Sequence, residues 1–290
     1  MRIAIIGGSG GMGQWFARFL SHEGNEITIT GRNKAKLEQV RQQLDVSATT
    51  DNVEATRNAD AVLVSVPIDY FEDIIKEISP YTRSGQFIMD VTSIKVSPVA
   101  TMHKYIKKGL VLGTHPMFGP GALSLKNQSF VLTPVDEAEK ALAQKVKGYL
   151  ETRGGIVSIT SPDEHDKMMA FVLGLSHFIA IVSADTLLNF SKREQARAAA
   201  GTTYKVLLTL IEGVISRDPE FYASLQMYLP DMVRVQELFQ RSAKTWADLV
   251  KAKDKNEFVR RMSSLRDKLG KDNPELENAY DNMYKLMHES

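Results

Sequence analysis

The sequence predicts an open, doubly wound parallel α/β sheet over its first half and an all-α domain over its second. Three observations carry that reading. Short β-branched runs alternate with polar helical stretches as far as Ile159, such runs then stop, and long helical periodicities continue to the end of the chain. Strand alternating with helix is the pattern of parallel strands joined by crossover helices.

Ile3-Ala4-Ile5-Ile6 is a continuous apolar run, as expected of a strand covered on both faces. Strands are then predicted over residues 27–30, 61–66, 87–91, 110–113, 128–133 and 156–159, with helices near 12–22, 33–44, 69–78, 97–107 and 136–153. Ser161-Pro162-Asp163-Glu164 is a strong helix start: serine caps, proline suits the first turn, and Glu164 completes a capping box. From there a helix is predicted to about Asn189, followed by helical patterns at 193–216, 219–242, 245–252, 254–269 and 273–288, punctuated by Pro219 and Pro230. The domain boundary is placed near residue 160, giving 1–160 and 161–290.

A chain of 290 residues is long for one core and comfortable for two. Apolar residues are 43% and charged residues 24%, an ordinary globular balance. Thirty-six basic against 35 acidic residues leave a charge of +1, with no global pull toward nucleic acid or anionic membrane. Any anionic ligand must be held locally. The absence of cysteine excludes disulfides, thiol catalysis and cysteine-ligated metals, and fits a reducing, cytoplasmic setting. The first residues turn to glycine too soon for a signal peptide. The most apolar window, Phe171 to Ala184, is broken by Ser176-His177 and reads as too short for a bilayer.

Gly8-Ser9-Gly10-Gly11-Met12-Gly13 fits G-x-G-x-x-G. It follows a buried strand and opens a helix inside an alternating chain, which is the context of a Rossmann-type dinucleotide site. Gly8 is expected to permit the tight turn and Gly10 the approach of the backbone to a pyrophosphate. Gly13 is expected to let the next helix pack closely, its first amides facing the phosphates. A glycine-rich turn without a ligand is the alternative.

The second strand ends in Thr30-Gly31-Arg32-Asn33-Lys34. An NAD site places a carboxylate there for the ribose 2′-hydroxyl; none follows this strand directly. Arg32, helped by Thr30, Asn33 and Lys34, suits the 2′-phosphate of NADP, which is therefore favoured over NAD. Solvated charges at a helix start fit the same residues.

Ligands of open parallel sheets sit beyond the C-terminal strand ends. Ser65-Val66-Pro67 is expected to line the cofactor there. Asp90-Val91-Thr92-Ser93-Ile94-Lys95 and Thr114-His115-Pro116-Met117-Phe118-Gly119-Pro120 end the next two strands, and His165-Asp166 lies early in the first helix of the second half. Of the six histidines, His22, His103 and His288 read as surface residues. His115 differs, standing at a strand end in an apolar segment. A neutral imidazole there accepts a proton from a substrate hydroxyl near neutral pH; a hydrogen-bonded turn histidine fits equally. No HExxH-like pattern is present, and no metal is expected.

The glycine loop, Val64-Ser65-Val66-Pro67, the Asp90–Lys95 segment, His115-Pro116-Met117-Phe118-Gly119-Pro120 and Glu164-His165-Asp166, in that order, resemble the prephenate dehydrogenase family of tyrosine biosynthesis. The likeness runs to about residue 225 and more weakly beyond. It implies oxidative decarboxylation of prephenate to 4-hydroxyphenylpyruvate with hydride transfer to NADP or NAD. In the matching positions, His115 is the catalytic histidine and Ser93 the serine that orients it. His177 matches a histidine near the substrate side chain, and a helix–helix core histidine fits that position nearly as well. His165-Asp166 matches a recurring pair whose expected role is helix capping or domain contact. The resemblance also implies a homodimer through the helical domain. The apolar residues Met227, Leu229, Met232, Val235, Leu238 and Phe239 exceed what one small bundle needs. A chain ending at Ser290 implies the stand-alone form, without a fused regulatory or chorismate mutase domain.

The pattern departs from the family in one place. Prephenate is a dianion, and its burial needs fixed positive charge. The arginine that the family sets ahead of an Asp-Pro pair is missing: counting back from Asp218-Pro219 lands near Gly213 or Glu212. Lys205 or Arg217 is expected to replace it, and the departure leaves room for arogenate as substrate. Rival readings are a β-hydroxyacid dehydrogenase, whose asparagine position is Thr209 here, and a deazaflavin-linked NADP reductase, which does not explain His115. A non-catalytic NADP-sensing regulator needs the glycine loop and Arg32 alone.

Overall fold

A computed structural model describes the backbone of residues 1–288 and the side chains of residues 1–285, so the expected exposure of His288 lies outside the described side chains. The chain forms two compact units, one of Met1–Met169 and one that begins at Ala170.

In the first unit, β1 (Arg2–Ile6), α1 (Gly11–His22), β2 (Glu26–Thr30) and α2 (Lys34–Leu44) come first. They are followed by β3 (Ser47–Thr49), α3 (Asn52–Asn58), β4 (Ala61–Val64), α4 (Ile68–Ile78), β5 (Phe87–Asp90) and α5 (Val96–Tyr105). Then come β6 (Leu110–Pro116), β7 (Ser129–Thr133), α6 (Glu137–Glu151), β8 (Ile156–Ile159) and α7 (Pro162–Met169). Among the described residues the strands make one eight-stranded sheet in the order β3-β2-β1-β4-β5-β6-β7-β8.

The sheet is doubly wound because both faces of its strands are covered. Ile3 and Ile5 of β1 join a core with Trp15, Phe16, Leu37 and Leu142, under α1, α2 and α6. Ala4 and Ile6, pointing the other way, join Ala55, Phe71, Ile75, Val99 and Met102, under α3, α4 and α5. The apolar run of β1 is continuous for that reason.

Two features differ from the sequence reading. A third strand and a short helix occupy 47–58, where Ser47-Ala48-Thr49 is too short and too polar to show a period. The sheet is also not wholly parallel. β7 runs antiparallel to β6, with His115 opposite Val131. Residues 117–128 between them contain no helix, and a parallel return needs a crossover, usually helical.

The second unit is helical. A π-helical turn (Ala170–Leu175) leads into α8 (Ser176–Leu188), then α9 (Arg193–Ala198), α10 (Thr202–Ile215) and α11 (Pro219–Tyr228). α12 (Met232–Ala252), α13 (Lys255–Asp272) and α14 (Ala279–His288) complete it. The pattern expected at 193–216 is broken ahead of Gly201, and the one at 219–242 is broken before Pro230, which cannot continue a helix. Helix α12 runs through the predicted gap at 243–244. Leu229, Met232 and Val235 of the expected stripe are buried in the unit's own core, whereas Met227 and Leu238 are exposed.

Ser176-His177 does not interrupt the apolar run. The Ser176 hydroxyl donates to the Val172 carbonyl oxygen at 2.9 Å and so needs no outside partner. The helical run Pro162–Leu188 is 27 residues long with a mean hydropathy of 1.8, long and apolar enough to cross a membrane by length and composition, so the shortness argued from sequence does not hold.

Candidate functional site

Parallel pairing puts the C-terminal ends of β2, β1 and β4 at one edge, with the glycine loop between its neighbours. The left-handed turn lies at Gly7 (φ +82°), one residue before the expected motif, and a Cβ there would meet the Ser65 carbonyl oxygen at 2.3 Å. Gly8 is required instead by contact with Ile29, whose Cβ would lie 2.5 Å from an added Cβ. At Gly13 an added Cβ would lie 2.5 Å from the Gly7 carbonyl oxygen and 2.7 Å from the Gly8 Cα. Helix α1 is thus pressed onto the loop, and its N-terminus, at Gly10, has no side-chain cap. Backbone amides left open at a helix start favour an anion. The loop Gly8, Ser9, Gly10, Gly11, Met12, Gly13 therefore fits a dinucleotide pyrophosphate.

Ser65 donates its amide to the Ile6 carbonyl oxygen, and Ser65 and Val66 stand directly against Gly7. Pro67 begins the turn into α4. Arg32 is exposed, and its guanidinium lies 4.3 Å from the centroid of the Tyr70 ring. The Asn33 side chain caps α2 by accepting from the Lys36 amide at 3.0 Å, which leaves its amide group for a ligand. Thr30 is a correction: it is fully buried, and its hydroxyl is committed to Asn52 at 2.7 Å. It cannot help Arg32.

The ends of β5 and β6 carry a buried polar network. Lys95 is fully buried and ion-paired with the equally buried Asp90. Its ammonium also donates to the Thr114 carbonyl oxygen at 2.6 Å and to the Thr92 hydroxyl at 3.2 Å. Burial pushes the Lys95 ammonium down from its ordinary range, against the opposing pull of Asp90. Its stem passes Gly113, where a side chain would collide with Thr133 and Val99. Ser93 is half-buried in the same turn and makes no hydrogen bond to the described residues, which leaves its hydroxyl for a ligand.

His115 is 3% exposed, and its Nδ1 lies 2.8 Å from Nε2 of His165. Nδ1 of His165 lies 2.7 Å from the Asp166 carboxylate. The Asp166 oxygens also accept from the backbone amides of Lys95 (2.7 Å) and Val96 (2.9 Å), at the start of α5. A carboxylate only accepts, so it assigns the His165 proton to Nδ1. The remaining nitrogen of a neutral His165 then accepts from His115 Nδ1, and the lone pair of His115 falls on Nε2. Burial holds the His115 imidazole well below its ordinary range, aided by the Lys95 charge and by His165.

Spacing did not reveal His165 as a partner of His115, nor Lys95 and Asp90 as its electrostatic surroundings. The capping role expected for the pair is present in Asp166, while His165 faces the candidate base. The segment after His115 packs over the loop-bearing helix: the Trp15 indole donates to the Ala122 carbonyl oxygen at 2.7 Å, and Phe118 meets Trp15 edge-on.

In the second unit, the centroids of the His177 and Tyr222 rings lie 4.9 Å apart, and Nδ1 of His177 is buried without a hydrogen-bond partner among the described residues. Burial pushes the His177 imidazole down. Burial likewise pushes the Tyr222 phenol up, and the nearby Arg217 charge opposes it. The structure thus groups His177, Tyr222 and Arg217. Lys205 is exposed on α10, and among the described residues its ammonium has no carboxylate partner. Glu212, where the family arginine is expected, is ion-paired with Arg197.

Residues 16–159 match the family model described as prephenate dehydrogenase, nucleotide-binding domain, and residues 161–264 the model described as prephenate dehydrogenase, dimerization domain. The chain is 38% identical over 274 residues to a probable arogenate/prephenate dehydrogenase of Methanocaldococcus jannaschii, covering 93% of this chain and 61% of that protein. It is 28% identical over 273 residues to the T-protein of Haemophilus influenzae, covering 93% and 67%. It therefore spans about three fifths to two thirds of the length of these curated relatives. Among solved structures, prephenate dehydrogenase from A. aeolicus, in complex with hydroxyphenyl propionate and NAD+, has a TM-score of 0.78 at 23% identity, covering 94% of this chain and 98% of that one. Synechocystis arogenate dehydrogenase has a TM-score of 0.70 at 16% identity, covering 93% and 99%. At those identities the likeness speaks for the fold, which agrees with the sheet and helical unit described above. With consecutive domain models spanning nearly its whole length, the chain belongs to the prephenate dehydrogenase family.

Proposed function

We propose that the protein is an NADP-preferring prephenate dehydrogenase of tyrosine biosynthesis, catalysing oxidative decarboxylation of prephenate to 4-hydroxyphenylpyruvate. The observation that supports this reading is the His115–His165–Asp166 chain at the end of β6, a strand parallel to the β1 that leads into the glycine loop. His115 Nε2 takes the proton of the C4 hydroxyl as the C4 hydride departs. Nδ1 of His115 stays bonded to His165, so the charge formed on the ring is shared toward Asp166. Ser93 offers a hydroxyl beside the same turn. The net change removes a hydride from C4 and CO2 from C1; the electrons of the broken C1 bond complete the aromatic ring, and His115 returns its proton to the phenolate oxygen. When bound, the nicotinamide supplies the hydride acceptor.

The cofactor is held by Gly8, Ser9, Gly10, Gly11, Met12 and Gly13, with Ser65, Val66 and Pro67 alongside and Arg32 and Asn33 at the 2′-phosphate. His177, with Lys205 or Arg217, supplies the contacts to the substrate side chain and carboxylates. The exposed apolar residues of the helical unit, Met227 and Leu238 among them, pair in a homodimer. The partner is a small-molecule substrate rather than a nucleic acid or a membrane, a reading supported by the balanced charge of the chain, and the expected setting is cytoplasmic. The single discriminating assay crosses prephenate and arogenate with NADP and NAD, using wild type and His115→Ala. Turnover of prephenate with NADP, lost in His115→Ala, supports the proposal. Turnover of arogenate alone moves the substrate. Equal NADP binding by both proteins, with no turnover of either substrate, makes the protein a regulator.

A further inference from the structure

Strands β2 and β4 flank β1, and all three are parallel, so the turns after β2 and β4 stand on either side of the glycine loop. They lie about two strand spacings apart, roughly 10 Å. Arg32 rises from one turn and Tyr70 from the first turn of α4 on the other, and they meet with the guanidinium carbon 4.3 Å from the ring centroid. The pair therefore spans the loop. Tyr70 is held in its turn by its amide, which donates to the Pro67 carbonyl oxygen at 3.0 Å, and the residue stays 43% exposed. Among the described residues Arg32 makes no hydrogen bond or ion pair.

A ring beside a guanidinium occupies a face of that planar group. Its N–H donors lie at the edge, where they remain available to a phosphate. A long side chain held this way has less freedom to lose when the ligand arrives. We propose that Tyr70 is a specificity-determining positioning residue, whose ring holds the Arg32 guanidinium across the glycine loop for the 2′-phosphate of NADP. The proposal rests on the reading of Arg32 as the 2′-phosphate ligand.

The test is calorimetric titration of 2′,5′-ADP and 5′-ADP into wild type, Arg32→Ala, Tyr70→Ala and Tyr70→Phe, with thermal unfolding as a check on folding. Wild type is expected to prefer 2′,5′-ADP, and Arg32→Ala to lose that preference. Tyr70→Ala should weaken 2′,5′-ADP relative to 5′-ADP by about two- to fivefold, the range of an exposed cation–π contact. Tyr70→Phe keeps the ring and should keep the preference. If Arg32→Ala loses the preference while Tyr70→Ala binds 2′,5′-ADP as wild type does, or more tightly, the role given to Tyr70 is wrong and Arg32 stands. If wild type shows no preference, or Arg32→Ala retains it, the reading of Arg32 fails first.

Discussion

The imidazoles of His115 and His165 face each other through Nδ1 and Nε2 at 2.8 Å, both buried. The contact joins the end of β6 to α7 and decides which nitrogen of His115 carries the lone pair. Replacing either residue should therefore strike the chemical step. His115→Ala is expected to lower kcat by about 10²- to 10⁴-fold, the usual worth of a general base, with a smaller change in KM. His165→Ala should lower kcat by at least about tenfold, because the tautomer is no longer held. Steady-state kinetics check both, and an unchanged kcat in His165→Ala would remove His165 from the mechanism.

The pH dependence follows from burial of His115, which with the Lys95 charge keeps its imidazole below the ordinary value of 6.5. The proposed base acts in its unprotonated form, so on that proposal activity should persist below pH 6.5 and fall only as the pH drops through the lower folded value. Stability moves in the same direction. Below 6.5 the unfolded chain binds a proton at this histidine that the folded chain does not. The contribution is complete above 6.5 and is lost as pH falls toward the folded value. Urea midpoints measured across this window should decline toward acid, and the decline should be shallower in His115→Asn.

Asp166 serves a fold contact and the candidate site together. Asp166→Ala strips acceptors from the Lys95 and Val96 amides and from His165. A loss of about 1–3 kcal/mol is expected from the buried donors left unpaired. Denaturant unfolding reads that loss, and kcat should fall alongside it. Asp166→Asn retains one acceptor oxygen and should recover part of the stability.

On the proposed function, the contacts to the substrate's carboxylates fall to Lys205 or Arg217. Lys205→Ala and Arg217→Ala are each to be assayed for prephenate KM. At least one is expected to raise it tenfold or more. If neither does, the replacement of the family arginine lies elsewhere.

What was legible in the sequence was what local chemistry dictates. The glycine loop, the buried strand before it and the strand-end position of His115 all follow from residues within one turn or strand. The His115–His165 contact joins residues 50 apart, and the Lys95–Asp166 bond residues 71 apart, so neither leaves a spacing to read. The antiparallel β7 had a signal in the missing helix between its run and β6, outweighed by the alternation on either side. Thr30 looked like a phosphate ligand because its neighbours did, yet its side chain lies inward, toward Asn52. The apolar stripe was real, but its division between own core and open surface depends on how α11 and α12 break at Pro230.

The buried Lys95–Asp90 pair places two charges out of water, within a network of buried polar groups. Two charges removed from water recover the cost of that removal only partly through each other, and well-packed apolar replacements for such pairs are often neutral or stabilising by about 1–4 kcal/mol. Here the pair cannot be exchanged so simply, because Thr92 and Thr114, next to the candidate base, are hydrogen-bonded to it. The double variant Asp90→Leu with Lys95→Met would surrender the electrostatic setting of His115 and leave the buried Thr92 and Thr114 amides without their acceptor, so stability should fall together with turnover. Attempts to engineer this fold for endurance will meet their limit at that pair, where durability and turnover draw on the same two side chains.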